Sequence, residues 1–316
     1  MSDIKENVLN AIGNTPLVKL NKINVKNIEI YVKLEYYSPG MSIKDRIALG
    51  MIEDAERKGL IEPGDTIIGK TSGNTGIGLA IACAVKGYRF VAVMSAGNSA
   101  ERQKILRALG AEVVLVPQQP GEEPGRISRK DNDAVEKKTQ ELTEKLNAYR
   151  PNQYINSMNW KVHQHTTGQE IIRQTSGRLD AFVAYIGTGG TFVGIARALK
   201  SFNNDIKCYP VEPDVAAFLA GKKVITTQHL IQGGGHAVKP PFWDESIVDG
   251  YIQVSEDEAI KTARALAKNE GILTGFSGGA NVAAAAKLDD SLRPGSIVVT
   301  VLPDTGLKYL STVLYE

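Results

Sequence analysis

Ser38-Pro39-Gly40-Met41-Ser42-Ile43-Lys44-Asp45-Arg46 is the stretch on which the reading of this chain turns. A Pro-Gly turn runs into Ser42, which reads as a helix N-cap. Lys44 then falls in the first turn of a helix expected from Ser42 to about Lys58, with Ile47, Ala48, Met51, Ile52 and Ala55 on its apolar face. The positive end of the helix dipole disfavours a cation there. A lysine so placed at the mouth of a cleft has its neutral amine favoured, and a neutral amine is what Schiff-base chemistry requires. Taken alone, the stretch reads more readily as a solvated surface lysine. The rest of the chain changes that balance.

Outward from Lys44, strands and helices alternate. Thr15–Leu20 and Ile28–Leu34 read as strands, and Thr66–Lys70 as a short buried strand. An apolar helix over Ile77–Val85, a strand over Phe90–Met94, an amphipathic helix over Glu101–Leu109 and a strand over Glu112–Val116 follow. Between Pro117 and Pro151 the composition turns to Pro/Gly loop and then to a charged helix over Asp133–Ala148, read as a solvated face. The alternation resumes with a strand at Ala181–Ile186, a helix to Leu199 and a strand at Ile206–Val211. A helix over Ser255–Glu270 opens on the capping box Ser255-Glu-Asp-Glu258, and a small-residue helix over Gly278–Leu288 and a buried strand over Ser296–Leu302 end the series. Repeated β–α–β units with apolar strands predict an α/β protein with mostly parallel sheets covered by helices.

Composition sets bounds on function. The 316 residues suffice for two domains or one large one, and Lys+Arg 37 against Asp+Glu 35 calls for neither nucleic acid nor an anionic membrane. No apolar run approaches about 18 residues, so no membrane span is expected. Cys83 and Cys208 sit in apolar runs and read as core residues, which fits a reducing compartment. His163, His165, His229 and His236 form no HExxH pattern, and His163 and His165 diverge on a helix, so no metal site is expected. The polar start Met1-Ser-Asp-Ile-Lys-Glu-Asn7 carries no signal-like run, and a cytoplasmic protein is expected.

Three glycine-rich turns open helices. Gly187-Thr-Gly-Gly-Thr191 follows an apolar strand; it is either a tight strand–helix turn or, with converging backbone N–H groups, a helix N-terminus and two hydroxyls, a phosphate cup. A Rossmann fingerprint fails because Phe192 stands where glycine is needed, and Lys207 and Cys208 stand near the place of the usual acid. Thr71-Ser-Gly-Asn-Thr-Gly76 is dense in short donors and suits a carboxylate, beyond what plain N-capping by Ser72 or Asn74 explains. Gly275-Phe-Ser-Gly-Gly279 flanks Ser277 with glycines, so either a group approaches its hydroxyl closely or the serine caps the helix. As a nucleophile elbow it fails, since no histidine follows Ser277. Gly64–Thr71 matches the P-loop pattern by letter, but strand-like Thr66-Ile-Ile68 lies inside the motif, where a P-loop needs a flexible loop.

A lysine at a helix start, a carboxylate nest, a phosphate cup and a glycine-flanked serine, in that order, resemble the fold-type II pyridoxal-phosphate enzymes, specifically the cysteine synthase/cystathionine β-synthase family. The resemblance runs from Ile12-Gly-Asn-Thr-Pro-Leu17 to Leu302-Pro-Asp-Thr-Gly306 and Tyr309-Leu-Ser311. It implies a tryptophan synthase β-like fold of two domains with twisted, mostly parallel sheets flanked by helices. A smaller, mobile domain would span 41–152 and a larger one 1–40 plus 153–316, with pyridoxal 5′-phosphate in the cleft between them. It implies that Lys44 carries the cofactor as a Schiff base and then serves as the base at the substrate Cα. It places Asn74 at the cofactor's 3′-oxygen, Gly187, Thr188, Gly189, Gly190 and Thr191 at its phosphate and Ser277 at its pyridine nitrogen. Thr71, Ser72, Thr75 and Gln153 would bind the amino acid's carboxylate. A homodimer is likewise implied.

The reaction implied is β-replacement on an activated L-serine, O-acetylserine or O-phosphoserine, through an aminoacrylate, with sulfide as nucleophile giving L-cysteine. A neutral serine at the ring nitrogen makes a modest electron sink, which favours loss of a β-substituent. A cystathionine-, lanthionine- or diaminopropionate-forming synthase and a cysteine β-lyase releasing sulfide are the alternatives, with a catalytically idle binding protein as the non-enzymatic one. Two departures from the family pattern stand out. Ile231-Gln-Gly-Gly-Gly-His-Ala-Val-Lys239 brings His236 and Lys239, either ordinary surface residues or groups for an acidic second substrate or phosphoryl leaving group. Met94-Ser-Ala-Gly-Asn98 lacks the family's usual proline and acid.

Overall fold

The computed structural model describes residues 4–71, 73–121 and 128–316. The chain divides into two compact units, one formed by Met1–Ile12 and Lys44–Met158, the other by Gly13–Ile43 and Asn159–Glu316.

Strands β1 (Leu17–Lys19) and β2 (Ile28–Leu34) begin the second unit. Helix α1 (Lys44–Arg57) opens the main part of the first. That helix starts two residues later than expected. Before it, the Ser42 backbone forms an antiparallel bridge with Asp304, and the Ile43 N–H donates to the Pro303 carbonyl at 2.8 Å.

The first unit holds a parallel sheet of β3 (Thr66–Lys70), β4 (Arg89–Ser95) and β5 (Glu112–Val116) in that order. Between its strands lie α2 (Asn74–Lys86) and α3 (Ala100–Ala108), and α4 (Arg129–Lys145) follows β5. Side chains of a strand alternate between faces, and here both faces are buried. Ile67, Phe90, Ala92 and Met94 pack with α1 and α2 through Ala48, Ile52, Leu79 and Cys83. Ile68, Val91 and Val93 pack on the other face against Val135 and Leu142 of α4, so the charged helix contributes an apolar stripe to the core. Strand β3 runs through the P-loop-like motif, where a phosphate-cradling loop would have to be.

The second unit continues with α5 (Met158–His165), α6 (Thr167–Gln174), β6 (Ala181–Tyr185), α7 (Gly190–Phe202), β7 (Lys207–Pro213) and β8 (Ile252–Val254). Then come α8 (Glu256–Ala265), α9 (Phe276–Ala286) and β9 (Ser296–Leu302). Its six-stranded sheet has the order β1-β2-β9-β6-β7-β8, antiparallel only at β1–β2. One face buries Ile30, Val32, Val183 and Val298 under α9 (Ala280, Ala284), the other Phe182, Ala184 and Val299 under α7 (Phe192, Ile195). Ser255 and Glu258 form the expected capping box, but the predicted single helix gives way to a π-helical turn, Leu266–Glu270.

Candidate active site

The sequence-predicted residues fall into two groups, one in each unit. In the first unit Lys44 is the opening residue of α1, where the dipole acts against a cation. Gly78 of α2 lies against this turn: a Cβ there would meet the Ala48 Cβ at 2.9 Å and the Lys44 carbonyl at 3.1 Å, so only glycine lets α2 press on the start of α1.

Thr71 directly follows β3, its N–H bonded to the Val93 carbonyl at 3.2 Å. Helix α2 then begins at Asn74, and its N-cap is Gly73, which has no side chain to offer. Asn74 is the first helical residue and so is not the N-cap itself; Ser72 lies outside the described residues. The backbone N–H groups of a helix N-terminus make a ready anion site. The buried Thr75 donates its hydroxyl to Gln153 Oε1 at 2.7 Å. Thr71, Thr75 and Gln153 line one cavity of about 100 Å³, with Lys70, Arg150 and Tyr154 completing its wall. The Arg150 guanidinium grips Glu136 with two bonds of 2.7 and 2.9 Å, and Lys70 adds a contact of 3.3 Å. Arg150 thereby holds the Glu136 carboxyl below its usual range.

In the second unit Gly187–Thr191 joins β6 to α7. Gly189, left-handed at φ 83°, is the N-cap and supplies no side-chain bond to the helix. No acidic side chain lies in the turn. A Cβ on Gly190 would stand 2.1 Å from Asn159 Oδ1, so the first turn of α7 seats directly on α5. The Asn159 amide Nδ2 donates to Thr188 Oγ1 at 2.8 Å, and His163 Nε2 lies 3.4 Å from Thr191 Oγ1. His163 Nδ1 pairs with Thr167 Oγ1 at 2.9 Å. An uncapped helix start, two hydroxyls and no competing carboxylate fit a phosphate monoester.

Ser277 is the second residue of α9 and half-buried; the cap is Gly275, so the serine is not the N-cap. A neutral hydroxyl at a helix start can meet a pyridine nitrogen without forcing a proton onto it.

Sequence reasoning missed Asn159 and His163. Both are fully buried polar residues, four apart on α5. In the sequence the only signal was an Asn and a His one helical turn apart; their burial and their contact with the glycine turn belong to the fold. Lys239 sits in an exposed pair with Glu245 at 3.4 Å, and His236 is exposed. Burial pushes both the Cys83 and Cys208 thiols up to about 12, as expected of inert core cysteines.

Residues 8–304 match the family described as pyridoxal-phosphate dependent enzyme. The chain belongs to this family. It is 45% identical over 313 residues to a cysteine synthase of Staphylococcus aureus, covering 98% of this chain and 97% of that one. It is 40% identical to an O-ureido-L-serine synthase of Streptomyces lavendulae, over 98% of this chain and 92% of the relative. Among solved structures, a hydrogen sulfide-producing enzyme from Fusobacterium nucleatum superposes with a TM-score of 0.90 at 40% identity, covering 98% of this chain and 99% of that chain. This pyridoxal-phosphate enzyme thus has the α/β fold that its sequence pattern indicates. Among the described residues no helix is long and apolar enough to cross a membrane.

Proposed function

We propose that this pyridoxal-phosphate enzyme replaces the β-substituent of an activated L-serine, with sulfide as the preferred nucleophile and L-cysteine as product. The observation that carries this reading is the 45% identity to a cysteine synthase over 98% of the chain. When bound, the cofactor supplies an electron sink for the bonds at the amino acid's Cα. The chain's own residues do the rest. With the cofactor bound, Lys44 would hold it through its ε-amino group and would move the proton at the substrate Cα. Gly187, Thr188, Gly189, Gly190 and Thr191 hold the phosphate. Asn74 meets the 3′-oxygen and Ser277 the ring nitrogen. Thr71, Ser72, Thr75 and Gln153 take the substrate carboxylate. Ser277, being neutral, keeps the sink modest, which favours loss of a β-leaving group.

A second reading rests on the likeness to the O-ureido-L-serine synthase, which at 40% identity and a TM-score of 0.89 stands nearly as near. In it the same machinery accepts a nucleophile other than sulfide. The test is incubation with O-acetylserine or O-phosphoserine and a panel of sulfide, thiols and amines, followed by mass spectrometry of the products. Cysteine formed fastest from sulfide is the expected result. Faster product formation from an amine or thiol would shift the assignment to the second reading, and no β-substituted product with any pair would end both. A cytoplasmic homodimer is the expected state, testable by sedimentation.

A further inference from the structure

We propose that Asn159 is a positioning residue for the cofactor's phosphate, one that fixes the Thr188 hydroxyl as a donor into the Gly187–Thr191 turn. The inference rests on reading that turn as the phosphate site. Asn159 is fully buried in the first turn of α5, and its Nδ2 donates to Thr188 Oγ1 across 2.8 Å. A threonine hydroxyl has one proton and two lone pairs. With an amide N–H on one lone pair, the proton has no reason to turn toward α5, and it stays available on the side of the turn. An acceptor at the same place, such as a carboxylate, would draw that proton away and leave the phosphate facing a lone pair.

The seat is built into both partners. Asn159 reaches this position because residue 190 is glycine, where a Cβ would stand 2.1 Å from Asn159 Oδ1. One helical turn further on, His163 meets Thr191 Oγ1 at 3.4 Å, so α5 contacts both hydroxyls of the turn. The N-cap of α7, Gly189, makes no side-chain bond, so the Thr188 hydroxyl adds to the backbone donors of the turn. A donor whose direction is set before the anion arrives costs no reorientation on binding, and its bond to a charged acceptor is among the stronger kinds.

The test compares reconstitution of the cofactor-free protein by pyridoxal phosphate and by pyridoxal, which lacks the phosphate, followed by visible absorbance. Thr188→Val is expected to weaken pyridoxal phosphate about tenfold, the loss of one hydrogen bond to a charged group, with pyridoxal unaffected. If it weakens neither, Thr188 is no donor to the phosphate and the proposal fails; a parent protein that binds pyridoxal as tightly as pyridoxal phosphate would instead remove the turn as the phosphate site. Asn159→Leu is expected to reproduce the selective loss, and the Asn159→Leu/Thr188→Val double variant to bind no worse than Thr188→Val alone. Equal losses for both ligands, or losses that multiply in the double variant, would overturn the positioning role while leaving the phosphate site intact. Asn159→Asp, matched in shape, is expected to weaken pyridoxal phosphate more than leucine does; parent-like binding would overturn the amide's part as donor. Asn159→Ala carries the same ligand comparison if the leucine variant fails to fold.

Discussion

Thr75 Oγ1 donates to Gln153 Oε1 across 2.7 Å, tying the first turn of α2 to the segment that follows α4. With its oxygen engaged by Thr75, the amide's NH₂ is the donor end of Gln153, which suits a carboxylate ligand. Gln153→Glu replaces those donors with an acceptor of negative charge. It is expected to raise KM for the amino-acid substrate about 10- to 100-fold, the scale of a lost hydrogen bond to a charged group, with the cofactor's colour kept. Steady-state kinetics read this directly. A KM equal to the parent's would remove Gln153 from the carboxylate site.

Lys44→Ala tests the centre of the reading. The purified parent is expected to be yellow from a lysine-bound cofactor, and the variant to lose that band. Turnover is expected to fall by at least about 10²–10⁴-fold, the share of a positioned proton-transfer group alone. Helix α1 survives, since alanine is the better helix former at its first residue. An unchanged visible spectrum would place the attachment on another lysine.

The strands and most helices were legible because their apolar period is strong: β2, β3, β5 and β9 have the bounds that the alternation of Ile, Val and Leu predicts. Lys44 and the three glycine turns were legible because each joins an unusual residue to a helix start. Helix α5 was not. Its buried face is Asn159, Val162 and His163, so hydrophobic periodicity has almost nothing to register. Of the two readings open for Ser277, the helix cap is the one that falls away: local propensity favours a serine there, but α9 starts one residue before Ser277 and takes Gly275 as its N-cap. The strand β8 spans three residues and defines its place through pairing with β7, information that lies about forty residues away in the chain.

Lys33 has no exposed surface, and its ammonium is satisfied threefold: by the Thr15 carbonyl at 2.9 Å, Gln174 Oε1 at 2.9 Å and Glu170 Oε2 at 2.8 Å. Lys33→Met is expected to cost about 3–5 kcal/mol, because it strands the Glu170 carboxylate in the interior. Adding Glu170→Leu should recover part of that loss. Urea unfolding measures both, and a double variant less stable than Lys33→Met would contradict the stranded-charge account.

Glu136 carries a pH signature. Arg150 lowers its folded-state pKa, so the pair contributes stability that is complete above the ordinary carboxylate pKa and is lost as pH falls through the depressed folded value. The Tm difference between the parent and Glu136→Gln is therefore expected to be largest near neutrality and to shrink below about pH 4. A difference constant over the whole acid range would show that Glu136 acts through packing. The pair is partly exposed, so added salt should reduce the difference as well.

Met41 holds a left-handed backbone, φ 56°, three residues before Lys44, with its side chain about half exposed at 47%. Its N–H closes the turn onto the Ser38 carbonyl at 2.7 Å, and Lys308 Nζ donates to the Gly40 carbonyl at 2.8 Å. A side chain costs about 1–2 kcal/mol in that conformation, whereas glycine bears none of it. Glycine also gives more entropy to the unfolded chain, which takes back about 0.5–1 kcal/mol. Met41→Gly is thus expected to stabilise by less than about 1 kcal/mol, and Met41→Val, branched at Cβ, to destabilise. The order Gly, Met, Val in Tm checks the argument. If valine melts with methionine, the turn in solution does not hold the left-handed geometry, and the strain leading into the lysine is absent.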